Sequence, residues 1–197
     1  MKRVFIYGDS NVWGENLAGP RVPYHQRWVN RLRRSLKNDY EIIADGACGR
    51  VAGDYRLDKS AECRGQSAFR EAYKKAGPID IIIVALGTND LQERFNRSVD
   101  EIINDLLWYK KTAGDTKVIY ILPLNFSTGE ESGPEFTLKS QQLRDLLIKN
   151  KDKLGNCIIV HNIELSDGVH FSAEGHKLMA NIIGEKLNCP EFYSGHA

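Results

Sequence analysis

Short β-branched apolar runs alternate with amphipathic stretches along this chain, and few folds accept that alternation. The clearest run is residues 79–86, IDIIIVAL, nearly continuous and ended by Gly87. Such a run has no polar face to offer water, so it suits a strand covered on both sides in a parallel sheet. Residues 4–7, 40–44, 117–122 (stopped by Pro123) and 157–160 have the same character. Helical patterns fall between them. Trp28, Leu32 and Leu36 recur four apart within residues 26–37, with Arg27, Arg31 and Arg34 on another face, read as a solvent face. Residues 67–76 form a second pattern. Ser98 followed by Glu101 is a capping-box signature, and Ile102, Ile103, Leu106 and Leu107 then make an apolar stripe. Residues 137–150 point Leu143, Leu146 and Leu147 inward. A last helix follows Ser172 and carries Leu178, Met179, Ile182, Ile183 and Leu187. The expected fold is α/β: a three-layer α/β/α sandwich around a five-stranded parallel sheet, with residues 1–197 as one domain.

Charge and cysteine usage narrow the partners. Lys and Arg number 27 against 26 Asp and Glu, a net charge of +1, which argues against nucleic acid or an anionic membrane surface. No stretch approaches the ~18 apolar residues of a membrane span. After Met1-Lys2-Arg3 the apolar run lasts only from Val4 to Tyr7, so no secretory signal is read. Cys48, Cys63, Cys157 and Cys189 show neither C-x-x-C spacing nor clustering with histidine. No metal site is expected, and free thiols in a cytoplasmic protein are.

In an open α/β sheet the active site lies beyond the carboxyl ends of the strands. The loops there are residues 8–23, 45–66, 87–97, 123–136 and 161–171, of which the second and fourth are long. The first begins Gly8-Asp9-Ser10-Asn11. Alone, Asp9 and Ser10 read first as a helix N-cap. Otherwise they hold a serine hydroxyl at the sheet edge. Gly87-Thr88-Asn89-Asp90 alone reads as a turn, or as an amide donor beside the first loop. Asp167-Gly168-Val169-His170 places a carboxylate within reach of an imidazole, though chance pairs at this spacing are frequent. Together the three supply a nucleophile, a base with its orienting acid and an amide donor, the parts of acyl transfer. His25, His161, His176 and His196 lack such partners and read as structural or solvated.

These blocks, with Asp45-Gly46-Ala47-Cys48-Gly49-Arg50 after the second strand, resemble in order and spacing the SGNH (GDSL-type) hydrolase superfamily. Gly8-Asp9-Ser10 followed by Trp13-Gly14, with Arg27-Trp28 and Arg64-Gly65, resembles its arylesterase/acyltransferase branch. The resemblance implies a flavodoxin-like SGNH fold and a serine esterase acting on small esters, with possible transfer of the acyl group. It implies Ser10 as nucleophile, His170 as general base and Asp167 as its partner. The Ser10 and Gly49 backbone N–H groups and the Asn89 amide form the implied oxyanion hole, with no cofactor. Asp9 is implied to tie the nucleophile loop, and a homo-oligomer is implied as well. Asn11 stands where the common pattern has Leu, read as having no effect on the serine, and Val51-Ala52 replaces a Thr-Thr pair.

Trp13 reads either as a wall of a small acyl pocket or as core packing. Arg50, Arg56 and Arg64 read either as steering a polar substrate or, preferentially, as solvated charges. Two alternatives compete with the esterase: a carbohydrate O-acetyl esterase with the same machinery, and a non-catalytic α/β binding module. Neither G-x-G-x-x-G nor G-x-x-x-x-G-K-[ST] occurs at a strand-helix junction, which argues against a nucleotide-binding protein.

Overall fold

A computed structural model describes residues 1–16, 19–128 and 135–189. The apolar runs become strands Lys2–Gly8 (β1), Tyr40–Gly46 (β2), Ile81–Ala85 (β3), Lys117–Ile121 (β4) and Cys157–Ile158 (β5). They form one sheet in the order β2-β1-β3-β4-β5, with every neighbouring pair parallel. The helices are Ser10–Trp13 (α1), Trp28–Ser35 (α2), Gly65–Ala76 (α3), Val99–Ala113 (α4), Leu138–Lys149 (α5) and Ala173–Asn188 (α6). This is the expected three-layer α/β/α arrangement with flavodoxin-like strand order.

The layers follow from the two-residue period of a strand. Val4, Ile6, Ile83 and Ile119 face one way and pack with Trp28 and Leu32 of α2 and Met179 and Ile183 of α6. Phe5, Tyr7, Ile82, Val84 and Tyr120 face the other and pack with Phe69 of α3, Leu106 and Tyr109 of α4 and Leu147 of α5. Each large apolar chain removed from water contributes roughly 1.5–3 kcal/mol. Ser98 caps α4 through both bonds of the capping box with Glu101.

The inward assignment of Leu146 is corrected, and Leu178 stands outside the buried part of the last helix's stripe. Leu146 is 46% exposed and Leu178 38% exposed. On α5 the inward place next to Leu147 belongs to Arg144, whose Nε donates to the Pro123 carbonyl, 3.0 Å. A pattern count cannot see that a guanidinium will find a carbonyl inside. The arginines of α2 likewise do not all stand free in solvent. Arg27 and Arg31 are half-buried and donate to the Val22 and Gln26 carbonyls.

One buried group makes stability depend on pH. His176 on α6 is wholly buried, and its Nδ1 accepts the Trp28 N–H, 3.3 Å. Burial, then the charges of Arg31 and Arg27, lowers its pKa from 6.5 to about 4. Below pH 6.5 the unfolded chain takes up a proton that the folded chain refuses, so stability is lost as pH falls through that window. Between pH 7.5 and 5 the wild type should lose about 2 kcal/mol relative to His176→Asn, measured by urea unfolding. Other titrating groups act in both proteins, so the difference isolates the imidazole.

Candidate active site

The strand order reverses between β1 and β3, opening a crevice at their carboxyl ends, where such sheets bind ligands. Asp9 follows β1 directly. Its carboxylate accepts the Asn11 N–H, 3.0 Å, and caps α1, so Ser10 occupies the first helical position at the crevice. Gly8 permits this tight exit: a Cβ there would meet Val12 Cγ2 at 2.4 Å and the Ala85 carbonyl at 2.7 Å. Burial raises the Asp9 pKa to about 6, against the opposing Asn11 N–H bond. Asp9 thus has a capping place, with its acceptors turned inward.

From the opposite end of the sequence, the segment after β5 brings His170 to Ser10. His170 Nε2 lies 3.0 Å from Ser10 Oγ, and Nδ1 lies 2.7 Å from Asp167 Oδ2. Asp167 Oδ1 also accepts the backbone N–H groups of His170, 2.7 Å, and Val169, 3.0 Å. Burial disfavours this carboxylate. The bonds from the His170 backbone, the His170 ring and the Val169 backbone outweigh burial and hold its pKa below the ordinary value. With Nδ1–H donated to Asp167, Nε2 is left as the acceptor for the serine proton.

The loop after β2 supplies Gly49 in the left-handed region at φ 74°. That backbone conformation favours glycine, and a Cβ there would also press on the Arg56 guanidinium, with Nη1 at 2.8 Å. Among the described residues, the backbone N–H groups of Ser10 and Gly49 donate to no protein acceptor. Asn89 follows β3 within the turn Asn89–Leu91. Its Nδ2 donates to the Arg50 carbonyl, 3.0 Å, and its Oδ1 accepts Gln92 Nε2, 3.1 Å. Gln92 Oε1 in turn accepts Arg94 Nε, 2.9 Å, and Arg94 pairs with Glu135, 3.0 Å. This chain of bonds fixes which way the Asn89 amide points. The next residue, Asp90, is wholly buried and accepts the Ala52 N–H and the Tyr55 hydroxyl, tying the turn to the Gly49 loop. Burial raises its pKa to about 6.

All five residues read as chemical from the sequence (Ser10, Gly49, Asn89, Asp167 and His170) line one cleft of about 640 Å³. Trp13 lines it too. The Arg21 guanidinium stacks 3.8 Å from the centre of its ring, so the indole is a stiffened wall rather than core packing. The solvated reading of Arg50 and Arg56 is corrected: each is 3% exposed. Arg50 pairs with Asp45, 2.7 Å, donates to the Gly8 and Glu62 carbonyls and stacks over Tyr7, so it ties the Gly49 loop to β1. Arg56 reaches the cleft while donating to the Gly49 carbonyl, 2.8 Å. Arg64 lines a separate hollow. His25 and His161 are exposed, His176 is buried behind α2, and His196 lies outside the described residues. Part of the long loop 123–136 lies outside them too. No cluster of three or more His, Cys, Asp or Glu suited to a metal ion occurs among the described residues.

Asn11, Arg50 and Asp90 stand within the quoted blocks, but nothing in the sequence marks them, or Gln92, as positioning partners. Only the three-residue spacing from Asn89 to Gln92 is local enough to have drawn attention.

Residues 6–178 match the model of the GDSL-like lipase/acylhydrolase family. A comparison with curated proteins finds no match. Among solved structures, the native aryl esterase of M. smegmatis is similar with a TM-score of 0.82 and 20% identity, over 95% of this chain and 98% of that one. A carbohydrate acetylesterase family member from Sinorhizobium meliloti gives 0.80 and 21%, over 95% and 97%. Est24, a carbohydrate acetylesterase from the same organism, gives 0.74 and 25%, over 95% and 98%.

Proposed function

The chain belongs to the GDSL-like lipase/acylhydrolase family, and on that premise we propose that it is a serine esterase removing short acyl groups from small esters. The observation that carries this reading is the unbroken line Asp167 Oδ2, His170 Nδ1, His170 Nε2 and Ser10 Oγ, with steps of 2.7 and 3.0 Å across its two hydrogen bonds. Ser10 Oγ attacks the ester carbonyl as His170 Nε2 takes its proton, and Asp167 stabilises the resulting imidazolium. The tetrahedral oxyanion accepts the free N–H groups of Ser10 and Gly49 and the second Nδ2 hydrogen of Asn89. His170 returns the proton to the departing alcohol. Water, deprotonated by the same nitrogen, then releases the acid and free Ser10. An alcohol in place of that water would turn hydrolysis into acyl transfer.

A fluorophosphonate probe tests the assignment. Mass spectrometry should place its adduct on Ser10, and the adduct should vanish in His170→Ala. An adduct elsewhere overturns the assignment, and no adduct on folded protein favours the binding module. Asn89→Ala should lower kcat by about 10²–10³, since one oxyanion donor is lost. Steady-state kinetics on p-nitrophenyl acetate measure this, and an unchanged kcat removes Asn89 from the hole.

Carbohydrate O-acetyl esterase is the second reading. The cleft mixes Trp13, a surface for stacking, with the polar side chains of Glu15, Arg56, Glu62 and Arg94. Hydroxyl-rich alcohols would find partners there that plain aryl or alkyl esters leave unused. A panel of acetylated sugars against aryl acetates, compared by kcat/KM, separates the two.

A further inference from the structure

We propose that Asn11 is a positioning residue for His170, and that it holds the base in register with the nucleophile one residue before it. The Asn11 side chain spans the two peptide groups that flank the histidine. Its Nδ2 donates to the Val169 carbonyl, 3.2 Å, and its Oδ1 accepts the Phe171 N–H, 3.0 Å. Asn11 is itself held. Its backbone N–H donates to the Asp9 carboxylate, 3.0 Å, and its carbonyl accepts the indole N–H of the buried Trp28, 3.0 Å. Two hydrogen bonds therefore tie the residue beside Ser10 to the chain on both sides of His170, and two more anchor that residue to Asp9 and Trp28.

The His170 segment has bonds of its own, but they run elsewhere. Ser166 N–H donates to the His170 carbonyl, 2.7 Å, Ser127 N–H to the Gly168 carbonyl, 2.8 Å, and Leu165 bridges Phe171. These shape the segment without referring it to α1. Ser10 and His170 stand 160 residues apart in sequence, and their single bond of 3.0 Å is the one that must break and re-form in each cycle. A reference that stays intact through the cycle must come from a neighbour, and Asn11 supplies it. Leucine, the residue at this place in the superfamily's common pattern, offers neither donor nor acceptor. Here it would leave the Val169 carbonyl and the Phe171 N–H without these partners. The substitution that looked neutral for the serine therefore concerns the base.

The inference rests on the serine-esterase reading and is tested on the full chain with p-nitrophenyl acetate. Asn11→Ala should lower kcat by about 10–100-fold, the scale of a misplacement near 1 Å, with KM changed less than about twofold. In a His170→Ala background the same substitution should change the residual rate less than about twofold, because nothing remains to be positioned. A purely structural role would lower the rate in both backgrounds. Asn11→Ser, small and polar but too short to span both peptide groups, should repeat this pattern and serves if Asn11→Ala does not fold. Wild-type kcat in the variant that folds, or an equal fold-loss in the two backgrounds, overturns the inference. Full activity in Ser10→Ala would overturn the esterase reading instead, so the two failures are distinct.

Discussion

Ser10→Ala should lower kcat on p-nitrophenyl acetate by about 10⁴–10⁶, leaving only what the oxyanion hole and binding supply. The size of the loss follows from the place of the hydroxyl. Ser10 is 6% exposed and stands at the first position of α1, with His170 Nε2 3.0 Å from its oxygen. No other serine or threonine hydroxyl is hydrogen-bonded to the His170 ring among the described residues. Cys48 lines the same cleft, but its thiol is a poor substitute. Burial, then the hydrogen bond to Glu15, pushes its pKa far above the ordinary value, so it carries no thiolate at neutral pH. Fold integrity should survive, since Ser10 Oγ bonds only the His170 ring among the described residues. Hydrolysis by Ser10→Ala as fast as by wild type would refute the nucleophile assignment.

Asp167→Asn should cost about 10⁴ in kcat. The carboxylate accepts three N–H groups: the His170 and Val169 backbones and His170 Nδ1. An asparagine keeps an oxygen for the backbone donors, so the loop between Asp167 and His170 should hold its shape. Its amide nitrogen then faces Nδ1 and donates, which moves the ring proton to Nε2. The nitrogen facing Ser10 would then be a donor, unable to take the serine proton. Rates measured from neutral to alkaline pH separate this from simple unfolding. Hydroxide can replace the missing base, so the deficit should shrink as pH rises while circular dichroism stays unchanged. A deficit below about tenfold at neutral pH would show that Asp167 does not set the tautomer.

Much of the sheet was legible because burial on both faces writes itself into composition. The run at residues 79–86 could hardly be anything but an inner strand, and Ile81–Ala85 is one. The helix faces were legible where an apolar stripe met the sheet, as with Trp28, Leu32 and Leu36. They misled at Leu146 and Leu178, which stand at the edge of their stripes beside the buried Leu147 and Met179, and at Arg144, where a carbonyl waits inside. The arginines of the second loop misled for a related reason. A charge reads as solvated until one sees the carbonyls of Gly8, Asp45 and Glu62 converge on Arg50.

The candidate site divides along the same line. Residue types and their order along the chain belong to the sequence: a serine leaving the first strand, an asparagine leaving the third, an acid and a histidine near the end. Those types limit the chemistry before any coordinate is known, because few side chains can act as nucleophile, base or amide donor. Distances and directions belong to the tertiary structure. The 3.0 Å between Ser10 and His170 bridges 160 residues, and no local pattern encodes a contact that only the assembly of the sheet creates. The bonds that aim these groups, from Gln92 to Asn89 and from Asn11 to the chain around His170, are likewise long-range or indistinct in sequence. The Asn11 bonds end on backbone groups, which every residue carries, and the Gln92 bond joins two amides whose directions only the folded turn sets, so neither leaves a signature until the chain has folded.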